Sequence, residues 1–135
     1  MIWTDKDFGR MSWHDSIIHS ISFPNEDLYL RICLDYILEW KLSSETNKYQ
    51  FVVAPATLEF HNVLNLNILL SFGEYVGLYI SEITRKNERF SPNGQHLIYD
   101  YVIVTDRGRI EFNSTGFQQK LTDVPKNTNN QIYSQ

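Results

Sequence analysis

The stretch "WHDSIIH", residues 13 to 19, gathers His14, Asp15 and His19 into one short run. On a helix Asp15 and His19 would stand at i and i+4 and could share a proton as a dyad. On a strand four residues span about 13 Å, and the two cannot touch. Ile17, Ile21 and Phe23 share parity with His19. That favours the strand and sets His19 against an apolar surface as a hydrogen-bonded histidine. Asp15 is then a structural anchor, its carboxylate accepting from backbone N–H groups where the chain bends into its first strand. Trp13 is expected to be buried beside it, against Trp40 or a neighbouring aromatic.

A second pair lies in "LEFHNV", where Glu59 and His61 stand at i and i+2. A carboxylate and an imidazole about 7 Å apart on one strand face are half of a metal site. His14 or Asp35 would have to complete it, giving a metal-assisted hydrolase. The plainer reading is a solvent-facing polar pair, since no H-x-H, H-E-x-x-H or C-x-x-C spacing is present. Asp35 and Glu39, with Arg31, share the outer face of a long strand. At about 13 Å they are too far apart to flank one glycosidic bond. They suit a polar sheet face or a carboxylate-rich partner surface, with Glu59 and Glu111 as additions. There is no G-x-S-x-G, P-loop or G-x-G-x-x-G motif, and Cys33 has no histidine near it in sequence.

The elements that must carry these residues alternate. In "LYLRICLDYILEW", 28 to 40, Leu28, Leu30, Ile32, Leu34, Tyr36, Leu38 and Trp40 share one parity. This predicts a long strand with one face on the core, paired as a hairpin with 17 to 23 across "FPNED". Residues 50 to 63 form a further strand. Pro55 cannot donate to a ladder, which predicts an edge strand or a bulge there. Segments 64 to 72 and 75 to 84 follow, then "SPNG" as a turn and two strands around "DRG". A three-residue loop with Gly108 at positive φ would put Val102 and Val104 on one face with Ile110 and Phe112. A two-residue loop would put Tyr101 and Ile103 there instead. The three-residue loop is the expectation, because Arg107 disfavours positive φ. Thr4 and Asp7 form an Asp variant of the capping box, predicting a turn or two of helix ended by Gly9.

These elements give a mainly β, single-domain antiparallel sandwich or rolled sheet of about six or seven strands over residues 1 to 135. Residues 123 to 135 read as a polar surface tail anchored at most by Ile132 and Tyr133. The chain is 42% hydrophobic and 14% aromatic, enough for a core without staples. A net charge of -4 argues against a general nucleic-acid binder, because phosphate affinity needs clustered Lys and Arg. The only basic cluster, "TRKNER", is short and contains Glu88. One cysteine excludes an intrachain disulfide and suits a reducing compartment. With neither a signal-peptide h-region nor an apolar run of membrane length, the expectation is a cytoplasmic protein.

"SWHDSIIHSISF", "LYLRICLDYILEW" and "FVVAPATLEFHNV" resemble a type of small bacterial β-rich domain. Its pattern is a W-H-D-S-x-I start, a D-Y-x-x-E-W-like strand end and an A-P-A-T-L-x-F strand. The matching positions are Trp13, His14, Asp15, Asp35, Tyr36, Glu39, Trp40, Pro55, Thr57 and Phe60. Several domains of this type are similar to immunity proteins of polymorphic-toxin systems. The resemblance implies a non-enzymatic, cofactor-free protein-binding domain whose partner is a bacterial toxin. Its candidate binding residues are His14, Asp15, Asp35, Glu39, Glu59 and His61. A small-ligand binder, with Tyr36, Trp40, Phe60 and Phe72 around a pocket, is the third reading.

Overall fold

The computed structural model describes residues 1–134; Gln135, the last residue of the expected tail, lies outside them. A capping box at Thr4, with Asp7 returning to the Thr4 N–H, opens a 3-10 helix over Asp5–Arg10. The helix runs one residue past Gly9 and ends at an extended Met11. The strands are β1 (Ile2–Thr4), β2 (Ile18–Ser22), β3 (Leu30–Leu42), β4 (Tyr49–His61), β5 (Leu64–Leu70), β6 (Ile80–Phe90), β7 (Leu97–Thr105), β8 (Gly108–Ser114), β9 (Gly116–Leu121) and β10 (Lys126–Thr128). Two antiparallel sheets face each other. The larger runs β1-β9-β4-β3-β2 with β10 added to β4, and the smaller runs β5-β8-β7-β6. The mainly β, antiparallel two-sheet expectation is borne out. The extra strands are short or, like β9, lack an apolar alternation.

The core lies between the sheets. Leu30, Ile32, Leu34 and Tyr36 of β3 point inward, as their parity demands, and are buried with Leu58 and Phe60 of β4. Phe60 packs 4.7 Å from Phe112 and 5.0 Å from Tyr101, ring centre to ring centre, across the sandwich. Two corners stitch the sheets together. Asp15 N–H donates to Ile80 O and Ile18 N–H to Leu78 O, both at 2.8 Å, at one corner, and at the other Val63, where the chain leaves β4 for β5, is held by its N–H on Leu28 O.

The alternation of β3 does not run its whole length. A bulge between Ile37 and Glu39 shifts the register against β4. Leu38 still packs on the core, but Trp40 pairs with Phe51 on the outer face, where it is 41% exposed. The expectation that Trp40 faces the core is therefore corrected: one extra residue in a strand reverses every later side chain.

Pro55 is neither at an edge nor at a bulge. β4 is a central strand, and Pro55 pairs with Asp35 of β3. Its carbonyl accepts from Thr122 N–H at 2.8 Å. A residue's N–H and C=O point to the same side of a strand, so the missing donor falls in the gap where β9 has ended and β10 has not begun. The "DRG" register is also corrected. Thr105 pairs with Gly108, so Tyr101 and Ile103 share the buried face with Ile110 and Phe112. Asp106 and Arg107 form the two-residue loop without positive φ, and Gly108 takes the unusual backbone at φ 136°. Thr105 Oγ1 holds this loop, accepting from Arg107 N–H at 3.1 Å and donating to Gly108 O at 2.9 Å.

Segment 75 to 79 is not strand, apart from one bridge between Ile17 and Tyr79. β6 starts at Ile80 and carries "TRKNER" as its solvated half.

Gly108 and Gly94 predict different costs. A Cβ on Gly94 (φ 71°) meets open space, whereas one on Gly108 collides with the Leu69 carbonyl oxygen. Gly94→Ala is expected to cost about 1 kcal/mol. Gly108→Ala is expected to cost at least about twice that. Urea unfolding midpoints check the order.

Candidate functional site

The "WHD" corner is built by Trp13. Its indole is 3% exposed and packs edge-on to Phe117 and Tyr36, with Phe8 tilted beside it. Its Nε1–H donates to Gln119 Oε1 at 2.7 Å. A buried glutamine on β9 is what sequence reasoning missed; "GFQQKL" has no pattern that marks it. With the indole locked inward, the next two residues are turned out. Asp15 sits in the left-handed region at φ 64°. Its backbone N–H does the anchoring, on Ile80 O. Its carboxylate lies 3.6 Å from His14 Nε2, so the expected carboxylate-to-backbone anchor is replaced by a backbone one. His14 sets Nδ1 3.1 Å from Ser81 O and stacks on Trp40 with centroids 6.1 Å apart.

Asp35 is not on an open polar face. It is 3% exposed. One oxygen, Oδ2, lies 2.9 Å from His19 Nε2 and accepts from Tyr133 N–H at 3.0 Å. His19 therefore turns outward to a carboxylate rather than resting on an apolar surface. The irregularity between Ile18 and Ser20 in the β2–β3 pairing explains this. Ile18, one residue earlier, is the buried side chain instead.

Glu59 and His61 do meet, with Nε2 and Oε1 3.0 Å apart. The other Glu59 oxygen accepts from Arg31 Nε at 2.8 Å, and Arg31 reaches on to Asp27 at 2.9 Å. Tyr29 lies against the His61 ring, centroids 4.8 Å apart, and under the Arg31 guanidinium at 5.2 Å. This is a closed ion-pair chain. Asp35 lies four residues along β3 from Arg31, about 13 Å away, and His14 sits beside β6 and Trp40. Among the described residues no three His, Cys, Asp or Glu side chains come together as a metal would need. Of the four groups named for a hydrolase, Glu59 and His61 stay together, while Asp35 and His14 each lie in another cluster.

Beyond the bulge the outer face turns apolar. Trp40, Leu42 and Tyr49 are 41%, 57% and 54% exposed. Trp40 meets Tyr49 and Phe51 edge-on, at 6.0 and 4.9 Å between centroids. His14 joins through its stack on Trp40. Glu39, expected on this face with Arg31 and Asp35, is turned to the opposite face by the same bulge: it pairs with Val52 rather than Phe51 and lies 3.8 Å from Lys41 Nζ. Tyr36 and Phe60 are core residues. Trp40 is on the opposite face of the sheet from them, and Phe72 borders a surface groove with Ile17, His19, Ile21 and Leu78. Those four aromatics therefore line no common pocket. No family model, curated protein or solved structure matches this chain, and no helix of the described residues is long and apolar enough to cross a membrane.

The Asp27 carboxyl is held below the usual carboxylate range, first by the Tyr29 N–H and then by the Arg31 guanidinium. Such a group adds stability above its unfolded value of about 3.9, and that contribution disappears as pH falls through the lower folded value. NMR titration of the side-chain carboxyl is expected to give a depressed midpoint for Asp27. Arg31→Met should raise it only part of the way, because the Tyr29 N–H remains.

Proposed function

We propose that the protein is a non-enzymatic binding domain that grips a protein partner with the outer face of its larger sheet. The observation that carries this reading is the exposed group Trp40, Leu42 and Tyr49, backed by buried Phe51 and flanked by His14. Exposed Trp and Tyr on a rigid strand pair offer large contact area at small entropic cost, and such residues dominate interface energies. Single exposed apolar residues are ordinary on a surface; a contiguous aromatic group built by a backbone bulge is not. The polar candidates fit the same reading. His14, Asp15 and Asp35 border the aromatic end, and the Arg31–Glu59–His61 chain stiffens the other end of the same face.

The partner class implied by the sequence resemblance is a bacterial toxin, neutralised in the cytoplasm. The net charge of -4 favours encounter with a basic protein, mainly through on-rate.

The test is capture of a partner from the source cell by the immobilised protein, followed by affinity measurement with Trp40→Ala and Tyr49→Ala. Each substitution is expected to weaken binding about thirtyfold, the 2 kcal/mol or more of a hot-spot residue, with little change in melting temperature. Unchanged affinity in both variants would overturn the reading.

A further inference from the structure

The segment from Asp123 to Ser134 covers more than it buries of itself. None of its residues is fully buried, yet beneath it Ile37, Phe51 and Val53 are at most 5% exposed, with Tyr133 packed against them. Its hold on the domain is short. β10 pairs only Lys126–Thr128 with Phe51–Val53. Tyr133 adds a second hold: its ring lies on the apolar group and its N–H donates to the Asp35 carboxylate at 3.0 Å. Its hydroxyl donates to Val124 O at 2.8 Å, and Lys126 Nζ stands 4.1 Å from the ring centroid. Between these points run Asn127, Asn129 and Asn130, a residue type that strands disfavour. The seat itself is built into the sheet. A strand edge on β4, an apolar floor and a buried carboxylate acceptor lie side by side, directly next to Trp40 and Tyr49.

We propose that residues 123–134 are a replaceable strap, and that the partner docks by putting an extended segment of its own, bearing an aromatic side chain, in the strap's place on β4. The incoming strand adds to the edge at Phe51–Val53, in line with β9. Its aromatic ring takes the Tyr133 seat over Ile37, and a backbone N–H beside that ring takes the Asp35 oxygen. The strap keeps the seat covered until a partner arrives, which protects an exposed strand edge from pairing indiscriminately. This inference rests on the outer face being the partner surface.

The probe is a fluorescent peptide with the strap's own sequence, DVPKNTNNQIYS, offered in trans to the full chain and followed by anisotropy. In the wild-type protein the tethered strap competes at a high effective concentration, so Tyr133→Ala in the protein should bind the peptide about tenfold more tightly or better. A peptide carrying Tyr133→Ala should lose this binding. Hydrogen exchange at Phe51–Val53 should quicken in the Tyr133→Ala protein while the Tyr101 and Ile103 amides stay protected, showing an intact fold. Equal peptide affinity for both proteins, or undiminished binding of the Tyr-less peptide, would overturn the strap. Trp40→Ala separates the two readings: it should weaken partner binding about thirtyfold and leave the difference in peptide affinity between the wild-type and Tyr133→Ala proteins in place. Capture without peptide exchange sinks the strap alone; exchange without any Trp40-dependent capture sinks the partner surface on which it rests.

Discussion

The bulge between Ile37 and Glu39 is the constraint on which the outer surface depends. Up to Tyr36, β3 obeys a simple rule: every second side chain enters the space between the sheets. The bulge breaks that rule once. Leu38 remains with the core, and Trp40 and Leu42 leave it, joining Phe51 and Tyr49 on the far side of the sheet. Without that extra residue Trp40 and Leu42 would turn inward, and the outer face would keep only Tyr49 and the Ile37, Phe51 and Val53 group as its apolar part. The cost is local, an interrupted ladder over one residue pair, and such irregularities are kept where they re-aim a side chain.

The inner core makes this possible by not needing Trp40. Phe60, Tyr101, Phe112 and Phe117 already fill the space between the sheets, and Trp13 with Tyr36 closes one end. Trp13 also sets the direction of its neighbours. Its bond to Gln119 fixes the indole inward, the left-handed Asp15 turns the chain, and His14 emerges beside Trp40. Core packing and outer surface are two consequences of one short motif, which explains why its polar residues look catalytic in sequence and act as surface and backbone groups in the fold.

Much of the architecture was legible because strands announce themselves by period two, and β3 and β4 do so over long runs. What failed to show was what alternation cannot encode. A bulge leaves the sequence pattern intact while reversing the geometry, so alternation alone puts Trp40 on the wrong face. The "DRG" register turned on which residue took positive φ, and Gly108 took it while keeping a two-residue loop. Asp35 read as a surface carboxylate because the segment that covers it comes from 98 positions away in the chain. Asn residues were legible only as polarity, yet Asn47, Asn62, Asn65 and Asn87 all hold left-handed backbone, two of them in the irregular pairings of β5 and β6. Spacing puts Glu59 and His61 on one strand face; their direct contact, and its completion by Arg31 as an ion-pair chain, follow only from the folded β3–β4 register.

The claim that the bulge carries Trp40 to the outside is open to direct measurement. With 5-fluorotryptophan in place of Trp3, Trp13 and Trp40, fluorine NMR resolves the three indoles, and Trp40→Phe assigns one of them. Adding a soluble nitroxide should broaden the Trp40 resonance first and leave the Trp13 resonance sharp. A Trp40 resonance as well protected as that of Trp13 would mean that the alternation of β3 runs unbroken into the core, and the outer surface would hold no exposed tryptophan.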